Sequence, residues 1–333
     1  MKKVTLADVA ARSGVSKSTV SQYLNQRFEY MSKTTKEKIE KAIAELDYQP
    51  NYIARSLKQK RTSMIGVIVA NIMHYMSTEI SRAIEDYFNQ HDIHAIICNA
   101  DDDSEKEKKY IEMLRAKQVD GLIIFPTGQN AALYKKMEQE NYPVVFMDRY
   151  AEGIHIPAVA VNNAEAAYEA AEHLIQKGHE KISIITPPLT ISPRIERVQG
   201  FKQAMKDYNL PVKKLSVINA EISQVQNEMK RLFEEEPPTG LLAGNDRVLL
   251  ETLAFFKKES ISIPEDVSLI VFDNIPFASF YHPAITSIIQ PSYEMGAFAA
   301  KCLMKLMMGE KLAEEKNIFT CKLEIRESTA QKQ

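Results

Sequence analysis

Between Thr5 and Ser13 the apolar residues Leu6, Val9 and Ala10 recur at i, i+3 and i+4, and Thr5 stands at a helix N-cap position. A short amphipathic helix is expected there. Gly14 breaks it, Val15 fills the turn, and Ser16 caps a second helix from Lys17 to about Leu24 with Val20 and Leu24 facing inward. A third helix, Lys33 to Leu46, carries Ile39, Ala42, Ile43 and Leu46 at 0, +3, +4 and +7, with Lys36, Lys38 and Lys41 on its polar side. Two short helices joined by a glycine-containing turn and closed by a third make a helix-turn-helix module. The outward residues of its second helix are Lys17, Ser18, Ser21 and Gln22, concentrated at the end that meets base edges in such modules. Pro50 ends this region, and Asn51 can cap a short basic helix over Tyr52 to Lys60. About nine residues are too few to stay helical in water without a partner, so that piece is expected to order only on docking.

After Thr62 the periodicity changes. Apolar runs at Met64 to Val69, His94 to Cys98, Gly121 to Phe125 and Val144 to Met147 are each followed by helical spacing, and the pattern restarts at Val159 to Val161. Further strands are expected near Ile182 to Ile185, Gly240 to Ala243 and Leu269 to Phe272. Repeated βα units of this kind predict parallel sheets with helices on both faces, here as two α/β lobes in tandem. Ligands of such sheets bind beyond the carboxyl ends of the strands. Polar residues cluster there: Asn71 after the first strand, Asp148 and Arg149 in FMDRY, Asn245 and Asp246 in LLAGND, Asp273 and Asn274 in VFDN.

Charge divides the chain along the same line. Residues 1–61 hold 13 Lys and Arg against 6 Asp and Glu, leaving 29 against 38 in the remainder of the 333 residues. A basic module on a larger acidic body points to nucleic acid as partner of the first. The three cysteines, Cys98, Cys302 and Cys321, form no CxxC pair, so neither a disulfide framework nor a zinc ribbon is indicated. The first residues lack the apolar stretch of a signal peptide, and no window approaches the roughly 18 apolar residues of a membrane span. A cytoplasmic protein without a membrane partner is expected.

The run VTLADVAARSGVSKSTVSQYLN, Val4 to Asn25, resembles the headpiece of the LacI/GalR family of bacterial transcription regulators almost position by position. With Thr5, Leu6, Ser16 and Asn25 added to Lys17, Ser18, Ser21 and Gln22, it supplies the candidate DNA-contacting set. Many family members carry arginine where this chain has Gln22; arginine reads guanine and glutamine favours adenine, so operator rules from other members do not transfer at that base pair. The segment YQPNYIARSLKQKRTSMIGVIV resembles the family's hinge helix, which wedges a leucine into the central minor groove. The resemblance puts Leu57 in that role, with Ala54 beneath it and Arg55 and Lys58 near phosphates.

The acidic body resembles the family's sugar-binding core, itself similar to periplasmic solute receptors, in which the chain crosses three times between lobes and the ligand lies in the cleft. The likeness runs through HPAITSIIQPSYEMG and ends in LEIRES, so it covers essentially the whole chain. It implies a headpiece over 1–50, a hinge over 51–61 and a core over 62–333, with lobe one about 62–161 and 291–318 and lobe two about 162–290 and 319–330. It also implies effector contacts at Asp148, Arg197, Asn245 and Asp273, residue types that suit a polyol. Independently, PLTISPRIERVQGF offers Ser192 as N-cap and Pro193 at N1 of a helix, bringing Arg194 and Arg197 to one face at i and i+3. Two guanidiniums beside a helix N-terminus favour an anion, so a sugar acid or sugar phosphate is expected as effector. The recognition helix is also similar to that of Gram-positive repressors of 2-keto-3-deoxygluconate utilisation.

Competing readings are an enzyme, a solute receptor that never touches DNA, and a corepressor-dependent regulator responding to a neutral sugar or nucleoside. GxGxxG, P-loop, GxSxG and HExxH motifs are absent, and the histidines at 74, 91, 94, 155, 173, 179 and 282 show no metal spacing. No catalysis, cofactor or metal is therefore expected. The resemblance implies a homodimer on a pseudo-palindromic operator. The short stretch after the last strand leaves no room for a heptad tail, which favours a dimer over a tetramer.

Overall fold

In the computed structural model, residues 4–49 and 62–332 are described. The hinge candidates Ala54, Arg55, Leu57 and Lys58 lie outside the described residues. The chain divides into two compact units, Met1–Thr62 and Ser63–Gln333.

The first unit holds α1 (Leu6–Ser13), α2 (Lys17–Leu24) and α3 (Lys33–Glu45). Its helix ends follow from local chemistry. The Asp8 carboxylate accepts from the Thr5 N–H at 2.8 Å and from its hydroxyl at 2.7 Å. The Ser16 and Ser32 hydroxyls accept from the N–H groups of Thr19 and Thr35. Gly14 adopts φ +70° and returns its N–H to the Ala10 carbonyl, a left-handed cap that a β-carbon would disfavour. Val9, Ala10, Val20, Ile39, Ala42 and Tyr48 form the buried core, while Leu24, Ile43 and Leu46 are half-buried at its rim.

The second unit carries twelve strands: β1 (Met64–Val69), β2 (His94–Asn99), β3 (Gly121–Ile124), β4 (Val144–Met147), β5 (Ala158–Val161), β6 (Ile182–Thr186), β7 (Val217–Asn219), β8 (Gly240–Ala243), β9 (Ser268–Phe272), β10 (Thr286–Ile289), β11 (Lys316–Phe319) and β12 (Lys322–Glu324). Its helices are α4 (Tyr75–Asn89), α5 (Ser104–Ala116), α6 (Ala131–Gln139), α7 (Asn163–Gln176), α8 (Ser192–Asp207), α9 (Val225–Glu235), α10 (Asp246–Glu259) and α11 (Ser292–Met307). The strands form two six-stranded sheets in matching order, β11-β5-β4-β3-β1-β2 and β12-β10-β9-β8-β6-β7. Every pairing is parallel except β10 with β12. The central strands are wholly buried runs such as Val144–Met147 and Ser268–Phe272, as a sheet covered on both faces requires.

Four strands were not expected from the sequence. β7 and β12 have three residues each, β11 alternates exposed and half-buried positions, and β10 is a four-residue run. Three of them sit at sheet edges, where half the surface is wet and no continuous apolar run is needed. A second correction concerns α8. Ile191 takes the N-cap position with extended φ and ψ, and Ser192 is the first helical residue. The Ser192 hydroxyl instead accepts from the Tyr150 N–H, at 3.4 Å.

The chain passes from the first sheet to the second between β5 and α7, returns between β10 and α11, and leaves again between β11 and β12. Asn162 ties the first and third passages together: its N–H donates to the Phe319 carbonyl at 3.0 Å and its side chain accepts from the Cys321 N–H at 2.8 Å. Helix α11 packs on α4, and α7 lies so close to α8 that a β-carbon on Gly200 would stand 1.9 Å from the Ala164 carbonyl oxygen.

Candidate functional site

In the first unit the outer face of α2 presents Lys17, Ser18 and Gln22 exposed, with Ser21 half-buried beside them. Other members of the sequence-derived set have local partners. Ser16 caps the helix and its hydroxyl meets that of Ser18 at 2.6 Å, and the Asn25 side chain donates to the Ser21 carbonyl at 2.7 Å. Leu6 is half-buried against the three-helix core and Thr5 is exposed at the start of α1. One lysine of the polar side of α3 has a packing role, because Lys36 Nζ lies 3.8 Å over the Phe28 ring.

In the second unit the carboxyl ends of the two sheets face one another, bridged by His74 with Asp246, Arg194 with Asp102 and Tyr150 with Glu196. Asp148 follows β4 and Asp273 follows β9, equivalent strands in the two sheets. Both adopt positive φ, 65° and 101°. Non-glycine residues rarely do so, and such strain concentrates at functional positions. Asp273 accepts from the Gln290 amide at 2.5 Å and from the Asp246 N–H at 3.2 Å. Full burial pushes its carboxyl up to about 6 against the pull of Arg197, with Asp246 adding to the rise. Arg197 is buried; its Nε donates to Asn163 at 2.9 Å, one terminal nitrogen donates to the Gly244 carbonyl at 2.8 Å, and its guanidinium stacks 3.5 Å over the Phe272 ring. Asn245 caps α10 by accepting from the Val248 N–H, and Asn71 accepts from the Met73 N–H within its own turn.

The two arginines expected to act together do not share a partner. Arg194 reaches back to Asp102, at 3.1 Å, and Arg149 meets the other oxygen of the same carboxylate at 2.7 Å. Glu196, two residues beyond Arg194, accepts from the Tyr150 hydroxyl and, at 3.1 Å, from the Asn163 amide.

Sequence reasoning missed Asp102, His74 and Gln290. His74, at the start of α4, meets Asp246 at 2.5 Å, and the Tyr75 N–H donates to the other Asp246 oxygen. Burial opposes the His74 cation, yet the hydrogen bond and charge of Asp246, helped by Asp273 and Asp102, leave its pKa raised. The same strand-end rule that selected Asp148 would have selected Asp102, which lies just beyond β2 in NADDD. For His74 only its place after β1 was available. Four buried polar atoms around the cleft have no hydrogen-bonding partner among the described residues: Asp148 Oδ1, Arg149 Nε, Thr186 Oγ1 and Gln290 Oε1. They comprise acceptors, a donor and a hydroxyl, a set matched by a polyhydroxylated ligand.

Among the described residues no group of three metal-ligating side chains converges, and no helix is long and apolar enough to cross a membrane. The three cysteines are buried, and burial pushes the Cys321 thiol up to about 12, the reverse of an activated nucleophile.

Residues 62–327 match the family of periplasmic binding proteins and sugar-binding domains of the LacI family, and residues 5–51 match the lacI family of bacterial regulatory proteins. The chain is 45% identical over 305 residues, 90% of each chain, to a protein of Paenibacillus polymyxa named "Probable HTH-type transcriptional regulator EndR". It is 34% identical to the ribose operon repressor of Halalkalibacterium halodurans, over 98% of this chain and 97% of that one, and 31% identical to the HTH-type transcriptional regulator KdgR of Bacillus subtilis, over 97% of each. Among solved structures, the Lac repressor dimer bound to operator and the anti-inducer ONPF superposes with a TM-score of 0.87 at 27% identity, covering 99% of this chain and 100% of that one. With a helix-turn-helix unit, a two-sheet core and both family matches in one chain, the protein belongs to the LacI family and is a DNA-binding transcriptional regulator, not an enzyme.

Proposed function

We propose that this regulator is a homodimeric repressor of a carbohydrate-catabolism operon, acting in the cytoplasm and released from a pseudo-palindromic operator by a sugar acid or sugar phosphate. Residues 1–50 read one half-site through Lys17, Ser18, Ser21 and Gln22, residues 51–61 bring paired Leu57 side chains to the centre, and the core over 62–333 holds the effector. Exposed apolar residues support self-association: Met73 is 75% and Phe280 76% exposed, with Ile72, Ile97 and Leu250 also open.

The observation that carries the effector reading is the set of unpartnered buried atoms between the sheets, with Arg149 and Arg194 beside them. An acid group has two guanidiniums within reach, and hydroxyls have Asp148, Asn245, Gln290 and Asp273. The resemblance of the recognition helix to repressors of 2-keto-3-deoxygluconate utilisation agrees with a keto sugar acid; the identity to the ribose operon repressor favours a neutral sugar. An effector that binds the lobes differently in two arrangements shifts the DNA-binding state by that difference alone.

Thermal-shift titration against sugar acids, sugar phosphates, neutral sugars and nucleosides, followed by operator release read by fluorescence anisotropy, tests this. A sugar acid or phosphate should raise the melting temperature and free the DNA, and Arg194→Ala should weaken that response without weakening any response to neutral sugars. Stabilisation by neutral sugars or nucleosides alone would discard the acidic effector and leave the DNA-binding function intact.

A further inference from the structure

Asp102 stands at the end of the first sheet's β2 loop with φ +55°, its N–H held by the Ala70 carbonyl at 2.8 Å. Its two oxygens are divided between guanidiniums from opposite sides of the cleft: Arg149, just after β4 of the first sheet, and Arg194, in α8 beside the second. The arginine side chains are 6% and 13% exposed, whereas Asp102 is 30% exposed and so the partner that can swing into water. Burial alone would raise its pKa, but Arg149 and Arg194, with the Arg149 hydrogen bond and His74 adding to them, overcome this and hold it below the ordinary carboxylate range. Neither guanidinium is saturated by the contact. Arg149 Nε is buried without a hydrogen-bonding partner, its nearest carboxylate being an Asp148 oxygen at 3.5 Å, and Arg194 spends its other terminal nitrogen on the Pro188 carbonyl and, at 3.4 Å, the Thr190 hydroxyl.

A carboxylate between two buried arginines has the chemistry of a bound ligand acid, and it bridges the cleft as such a ligand would. We infer that Asp102 is a built-in anion that competes with an external one for Arg149 and Arg194, and so sets which acids the cleft admits and how tightly. An entering carboxylate or phosphate exchanges an intramolecular bridge between the lobes for one made through the ligand. A neutral sugar leaves the Asp102 bridge in place. Asp102 is on this account a specificity-determining residue, and its action on the natural effector rests on the acidic-effector reading above.

The competition itself is testable with inorganic phosphate on the full chain. Asp102→Asn keeps the side-chain shape and tolerates the same left-handed backbone, so the loop is retained while the charge is lost. Calorimetric titration should show phosphate binding at least about tenfold tighter than in the parent protein, the scale of one charge-assisted hydrogen bond released to the ligand. Adding Arg194→Ala should remove that gain. Asp102→Glu, which keeps the charge, should bind phosphate no better than the parent. The inference is overturned if Asp102→Asn gains nothing, if the gain survives Arg194→Ala, or if Asn and Glu gain alike. A phosphate gain in Asp102→Asn together with no sugar acid or phosphate stabilising the parent protein would leave the competition standing and remove the acidic effector.

Discussion

Asp273 joins a strained backbone to a perturbed proton. Its φ of 101° places a non-glycine residue in a region that costs on the order of 1–3 kcal/mol, and its carboxyl has no water to ionise into. Because the folded chain holds a proton that the unfolded chain releases, this group's contribution falls as pH rises from about 4, the ordinary value, to about 6. Asp102 and Asp246 have the opposite sign: their pKa values are lowered, and the stability they lend is lost only as pH falls below the ordinary carboxylate value. His74 is raised, so its contribution is complete below its ordinary value and is lost as pH climbs through the higher folded one. Asp273→Asn should therefore flatten the melting temperature between about pH 4.5 and 6. Calorimetric scans of both proteins that gave parallel pH profiles would contradict this assignment. VFDN at a strand end made Asp273 visible in the sequence. Asp102 meets the same strand-end rule, but its pairing with Arg194, 92 residues further along, and that of His74 with Asp246, 172 residues further along, have no signal in the sequence.

Helices with local instructions were the most legible elements. Thr5, Ser16 and Ser32 each terminate a helix through a bond to a residue three positions on, and Gly14 through one four positions back. Edge strands β7, β11 and β12 were not legible, because their pairing partners, not their own apolar content, make them strands. The α7–α8 contact is another tertiary feature written in one residue. Gly200→Ala would press a methyl against the Ala164 backbone carbonyl, which cannot rotate away, and should cost about 1–3 kcal/mol or more in denaturant unfolding. A loss of only a few tenths would mean that the helices separate freely. On α2, Gln22 is exposed on the outer face, and Gln22→Arg should move the preference at one base pair per half-site from adenine toward guanine. Selection from randomised operators would reveal the change. The salt dependence should stay nearly level, because no phosphate contact is removed.

For the whole molecule, the match to lacI-family regulatory proteins and the match to sugar-binding domains fall on separate units, a basic one with three helices among its described residues and an acidic one of two sheets. On the proposed role of Leu57 as a wedge, Leu57→Ala should weaken operator binding while leaving random-sequence DNA and effector affinity near the parent values, because a wedge acts only where the duplex is kinked. Equal losses on operator and random DNA in anisotropy titrations would contradict the wedge. The charge split, the helix-turn-helix, the βα repeat and the family's motifs could all be read from the chain, because each depends on neighbours within a few residues or on a period of burial. Which charges face each other could not. The chain crosses between two sheets three times, and only that path brings Asp102 to Arg194, His74 to Asp246 and Tyr150 to Glu196. Contacts of this range have no periodic signature, since they are set by how separate layers close on one another and not by the order of residues within any one element.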